Sequence, residues 1–188
     1  MRFPIANVLT MARIVMIPLV VILFYLPYSW SAPAAGLVFG LAAITDSLDG
    51  YLARRLGQTS ALGAFLDPVA DKLMVAVALV LVASGDPRWF IVVSAIIIIG
   101  REITVSALRE WMAEIGARAK VAVSNMGKWK TIIQMIGLSF LLYRDDLFGL
   151  PIYLLGIIAT VGAAVLTLTS MIAYLRAAWP DLMRSRAQ

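Results

Sequence analysis

No cysteine and no histidine occurs anywhere in these 188 residues. Without cysteine there is no disulfide, no thiolate nucleophile and no thiolate metal site. Without histidine the commonest general base is missing, so carboxylates become the obvious proton acceptors. Any metal must then be held by oxygen, which points to a hard ion. Charge is also scarce: Asp, Glu, Lys and Arg make up 14% of the chain, against about a quarter in soluble domains. Internal repeats, low-complexity tracts and strand-like alternation are absent too. What is abundant is apolar surface, with 62% hydrophobic residues and a mean hydropathy of +0.91. These proportions describe an integral membrane protein, expected to form one domain over residues 1–188.

Six apolar stretches are long enough to cross a bilayer, at roughly 7–30, 33–56, 61–84, 88–112, 128–143 and 151–176. Polar breaks separate them, so the expected fold is all-α, a six-transmembrane-helix bundle. A short interfacial segment, Met1 to Ile5, precedes it. The competing reading of the start is a signal peptide cleaved near Ser31-Ala32-Pro33-Ala34. That run is long for such a peptide and carries Arg13 and Pro18 within it. The segment 113–127 is mixed in character and reads equally as loop or surface helix.

Orientation follows from the basic residues. With six spans and a cytoplasmic N-terminus, only Arg88 and Arg144 of the 16 Lys and Arg residues fall on the outer side. Such an asymmetry sets both termini in the cytoplasm. The formal net charge of +5 suits an anionic membrane surface or anionic substrates; nucleic acid is not an expected partner.

Against this apolar background, Asp46 to Asp71 stands out. It reads Asp46-x-x-Asp49-Gly50-x-x-Ala53-Arg54, then eight residues, then Gly63-x-x-x-Asp67-x-x-x-Asp71. Asp46, Asp49, Gly50 and Ala53 fall on one helix face, and Gly63, Asp67 and Asp71 step by four along a second. Gly57-Gln58-Thr59-Ser60 is the polar break that lets the helices fold back on each other. Four carboxylates then converge at the cytoplasmic half of the bundle, with Asp46 roughly 15 Å below the turn. Crowded in an apolar setting they repel, and divalent cations such as Mg2+ or Mn2+ relieve that repulsion. Gly50 and Ala53 leave room for a bulky group near the backbone, and Arg54 suits a phosphate. Small residues also serve plain helix packing in membranes, but four aspartates at lipid depth have no such bland explanation. Pro68, directly after Asp67, removes a hydrogen-bond donor from Ala64. It is expected either to bend the helix or to make Asp67 the cap of a new one.

At these residues the chain resembles the CDP-alcohol phosphotransferase family, whose pattern D-x2-D-G-x2-A-R-x8-G-x3-D-x3-D is matched at all eight fixed positions over 26 residues. The resemblance implies two divalent ions, Mg2+ or Mn2+, held by Asp46, Asp49, Asp67 and Asp71. It also implies that Asp71 is the catalytic base and that Asn7, Thr10, Gly50, Arg54 and Ser60 bind the CDP-lipid. A stripe of Asn7, Thr10 and Arg13, and the pairs Arg101-Glu102 and Gly127-Lys128-x-Lys130, further resemble members whose acceptor is sn-glycerol 3-phosphate. For Arg101, Arg109, Lys128 and Lys130 this implies binding of the acceptor phosphate, although the shallower three could also be lipid anchors. A structural Arg101–Glu102 pair is not expected, because neighbouring helical residues point apart. The implied substrates are CDP-diacylglycerol and sn-glycerol 3-phosphate, and the implied assembly is a homodimer in the bilayer of a bacterial inner membrane, its site facing the cytoplasm. Rival readings are a family member using another acceptor such as inositol phosphate, an intramembrane prenyltransferase, and a cation transporter using the aspartates as ion ligands.

The absence of native cysteine makes the topology directly testable. Single cysteines at Ser29 and Arg144 should label from outside the cell, and ones at Gln58 and Arg186 should not. Outside labelling at Gln58 would reverse both the orientation and the cytoplasmic site.

Overall fold

The computed structural model describes residues 5–56, 61–115 and 125–184. Among them are six helices: α1 (Ile5–Tyr25), α2 (Ser31–Leu56), α3 (Ala61–Gly85), α4 (Trp89–Glu114), α5 (Asn125–Tyr143) and α6 (Ile152–Arg184). The expected stretches coincide with these helices, and the bounds differ for local reasons. α1 ends at Tyr25 rather than near residue 30, because Pro27 disfavours helical backbone just before it. The turn that follows is closed by Ser31, whose hydroxyl donates to the Leu26 and Tyr28 carbonyls at 2.8 and 2.7 Å. α3 runs unbroken through Pro68, so Asp67 is a mid-helix residue and caps no new helix. α4 reaches Glu114 and α5 begins at Asn125, which accounts for both ends of the mixed 113–127 segment; its middle, like Met1 to Pro4, lies outside the described residues.

Two helices, Trp89–Glu114 and the Ile152–Arg176 part of α6, are long and apolar enough by composition to cross a membrane; Thr10–Tyr25, Ser31–Asp46 and Trp129–Tyr143 are shorter apolar helices. α2 and α3 are long as well, but each carries charge within it: Asp46, Asp49, Arg54 and Arg55 in α2, and Asp67, Asp71 and Lys72 in α3. All five tryptophans fall near helix ends. Trp30 and Trp89 lie at one end of the bundle, and Trp111, Trp129 and Trp179 near the opposite ends of their helices. Tryptophan gathers in this way at the two faces of a bilayer. Large apolar side chains such as Val15, Ile22, Val80 and Ile96 remain on the outside of the bundle, a heavy liability in water but none against lipid.

The main apolar cluster of the interior includes Phe39, Leu79, Ile98, Leu138, Leu141 and Leu142. Because lipid is as apolar as leucine, helices here associate through close packing, and small residues set how close. α2 meets α5 at Gly36, where an added Cβ would lie 2.7 Å from the Ser139 carbonyl oxygen and the Tyr143 backbone. α5 meets α6 through Gly137 and Gly156, each pressed against the other helix. At the α3–α4 turn Arg88 grips Asp86 from its Nε at 2.8 Å, and the Tyr153 hydroxyl of α6 donates to the same carboxylate. The Arg88 hydrogen bonds above all hold the Asp86 carboxyl well below the usual range, at about 2. The α3–α4 turn is thereby tied to the start of α6.

Gly36→Ala should destabilise the bundle by about 1–3 kcal/mol, because the atoms it meets are backbone and cannot rotate away. Thermal unfolding in detergent measures it, with Gly162→Ala as the control: a Cβ there meets nothing within 4 Å.

Candidate active site

α1, α2 and α3 meet at a buried guanidinium. Arg13 is 2% exposed, yet its Nη2 lies 2.8 Å from Asp46 Oδ1 and its Nη1 lies 2.6 Å from Asp71 Oδ1. The two carboxylates are 34% and 41% exposed, so the arginine reaches out from the interior while the acids keep one side open. One turn earlier on α1, the Thr10 hydroxyl donates to an Asp67 carboxylate oxygen. The i, i+3 spacing of Thr10 and Arg13 matches the i, i+4 spacing of Asp67 and Asp71 on the neighbouring helix. Three of the four motif aspartates are thus brought together, as the spacing predicts. The side chains of Asn7, Asp49, Arg54 and Lys128 lie outside the described residues, as does Ser60 altogether; Gly50 falls within α2.

Among the described residues, which leave out the Asp49 side chain, no three carboxylates stand close enough to hold one ion. The donor chemistry still fits a hard divalent cation. Asp46 and Asp71 converge from different helices on one positive group, and every donor available is an oxygen.

A second cluster lies on α4, α5 and α6. Arg101 Nη1 donates to Glu102 Oε1 at 2.8 Å, and Lys130 Nζ of α5 lies 3.7 Å from the same oxygen. The expectation that Arg101 and Glu102 would not pair is therefore wrong. Their Cβ atoms do diverge, but both side chains are long enough to curl back round the helix, and Arg101 is nine-tenths buried, where an unpaired charge is costly. Arg109, two turns further along α4, donates from Nη2 to the Tyr174 hydroxyl at 3.2 Å. The Arg101 and Arg109 guanidinium carbons lie 5.6 and 5.4 Å from the centre of the Tyr174 ring. Both Nε atoms are buried with no hydrogen-bond partner. Arg101, Arg109 and Lys130 are thus brought into one group.

Cavities open beside each cluster. One of about 440 Å³ has Lys72, next to Asp71, and Glu102 in its walls. Another, of about 580 Å³, runs between α2 and α5 with Asp46 and Thr131 on its polar side and Ile44, Met135, Ile136 and Phe140 among its apolar wall.

The CDP-alcohol phosphatidyltransferase family profile matches residues 3–175, which takes in both clusters. The chain belongs to the CDP-alcohol phosphatidyltransferase family. Among its relatives, the CDP-diacylglycerol–glycerol-3-phosphate 3-phosphatidyltransferases of Shigella flexneri serotype 5b (strain 8401) and Escherichia coli (strain K12) are each 51% identical to it over 183 residues, 97% of this chain and 99% of theirs.

Two members of this site escape a reading of the sequence. Arg13 is legible only as part of a polar stripe; nothing in its spacing tells that it spans two helices. Tyr174 is a lone aromatic near the end of an apolar helix, where the ordinary reading is an interfacial belt residue.

If Arg13 holds the two acids together, Arg13→Gln should lower the stability of the metal-free protein by about 1.5–3 kcal/mol, the worth of hydrogen bonds to charged groups. Adding Asp71→Asn on that background should recover part of the loss, because the remaining repulsion disappears. Equal thermal midpoints for Arg13→Gln and the native chain would remove the bridge from the account.

Proposed function

We propose that this chain transfers the phosphatidyl group of CDP-diacylglycerol to sn-glycerol 3-phosphate, releasing CMP and phosphatidylglycerophosphate. The observation that carries the reading is the pair of carboxylates, Asp46 and Asp71, converging on one guanidinium, together with a separate cationic group about Arg101 and Lys130. A diphosphate and a phosphorylated acceptor need such neighbours: acids that hold metal for the first, cations for the second. The names and near-complete coverage of the relatives support the same substrates.

In this reading six helices span a bacterial inner membrane, with both termini and the site on the cytoplasmic side, and two copies form a homodimer. Asp46, Asp49, Asp67 and Asp71 would hold two Mg2+ or Mn2+ ions. When bound, such ions neutralise the diphosphate and the charge that develops on departing CMP. Thr10, Gly50 and Arg54, with Asn7 and Ser60, hold the CDP end. The apolar cavity running from Asp46 between α2 and α5 accommodates an acyl chain beside the reacting phosphorus. Arg101, Arg109, Lys128 and Lys130 bind the acceptor phosphate, and a basic pocket of this kind disfavours uncharged acceptors such as serine. Asp71 accepts the proton of the acceptor hydroxyl as its oxygen attacks phosphorus.

Purified protein given CDP-diacylglycerol and a panel of acceptors should release CMP with sn-glycerol 3-phosphate and not with serine; release with inositol phosphate instead would change the acceptor. Asp71→Asn should lower kcat by roughly 100- to 10,000-fold, the usual worth of a general base, while CDP-diacylglycerol still binds with metal. A near-native rate at saturating Mg2+ would take the base role from Asp71.

A further inference from the structure

Arg101 and Arg109 are eight residues apart on α4, so their Cα atoms are separated by about 12 Å along the helix axis and by roughly 80° around it. Helix geometry alone does not aim two such side chains at one ligand. What they share is Tyr174. Its ring has both guanidinium carbons within 6 Å, and its hydroxyl accepts from Arg109. Cations settle against aromatic faces through the ring quadrupole, more strongly where water is excluded. The ring is itself held, packed against the Leu108, Met112 and Ala178 cluster of α4 and α6. Arg101 is fixed from its other side by Glu102, which also draws in Lys130.

The contacts leave something over. With both arginine Nε atoms buried and unpartnered among the described residues, the group keeps donors that no described acceptor fills. Arg101 and Lys130 share one carboxylate, Glu102, and among the described residues Arg109 donates only to the neutral Tyr174 hydroxyl, which leaves a surplus of positive charge for an anion to answer.

We propose that Tyr174 is a positioning residue for the acceptor: from α6 it sets the spacing and orientation of Arg101 and Arg109 so that both present donors to one phosphate. The inference rests on the acceptor reading above. Tyr174 touches neither the phosphate nor the reacting atoms, and acts only through the two arginines.

The test is steady-state kinetics on the purified full chain, with each substrate varied in turn, for Tyr174→Phe and Tyr174→Leu. Removing the ring should raise the KM for sn-glycerol 3-phosphate about tenfold or more, roughly 1.4 kcal/mol. The KM for CDP-diacylglycerol and kcat at saturating acceptor should stay within about twofold. Phenylalanine keeps both ring contacts and loses only the hydroxyl, so it should rescue most of the effect. Inorganic phosphate as a competitive inhibitor should weaken in parallel with the acceptor KM. An unchanged acceptor KM in Tyr174→Leu overturns the proposal, as does an equal rise in both KM values. Should the leucine variant not fold, a phenylalanine variant whose acceptor KM rises tenfold also overturns it, because the ring would then not be the positioning element. If the native chain releases no CMP with sn-glycerol 3-phosphate, it is the acceptor reading that fails. Tyr174 is then judged by phosphate binding alone, which must still weaken in the leucine variant.

Discussion

One buried guanidinium holds the working end of this bundle together. Arg13 carries the sole charge contributed to the site by α1, and it meets an acid on α2 and an acid on α3. Without it, two part-exposed carboxylates on adjacent helices would press those helices apart. With it, both carboxylates are drawn to one positive group. A lone arginine in an apolar helix would be costly, and lone aspartates would be too. Placed together they offset one another, so neither half of the arrangement is tolerable without its partner.

The second charged group follows a similar rule with the signs exchanged. Here a single carboxylate, Glu102, sits among Arg101, Lys130 and, through Tyr174, Arg109. The acidic group calls for cations and the basic group calls for an anion. In the proposed reaction the metal-bound diphosphate answers the first group and the phosphorylated acceptor the second, so two reactants of one charge meet two subsites of contrary charge.

The helices and the acidic site were largely legible in the sequence, because both depend on short-range periodicity. Apolar runs mark helices, and the steps from Asp46 to Asp49 and from Asp67 to Asp71 place carboxylates on helix faces with no knowledge of the fold. Contacts between distant helices were not legible. The role of Arg13 depends on α1 lying between α2 and α3, and that of Tyr174 on α6 lying against α4. The mistaken view of Arg101 and Glu102 has a different cause. Cβ directions describe short side chains well, whereas an arginine and a glutamate have enough rotatable bonds to return to each other where burial makes an unpaired charge costly. The cap considered for Asp67 assumed that proline would interrupt α3, and the helix runs on through it.

α6 is longer than a bilayer requires. Its 33 residues make a rod of about 50 Å, whereas the hydrocarbon layer is roughly 30 Å thick. If it enters at Ile152, it leaves the hydrocarbon near Met171, and Tyr174 stands just beyond, at headgroup depth. On α4 the same reckoning leaves Arg109 at that depth and sets Arg101 about 12 Å lower. In the proposed reaction a small hydrophilic anion coming from water meets Arg109 before Arg101, down a staircase of positive charge. An amphiphile already in the leaflet comes to Asp46 sideways, along the seam between α2 and α5. On that reading the two reactants have separate doorways, and neither has to leave its own phase to meet the other.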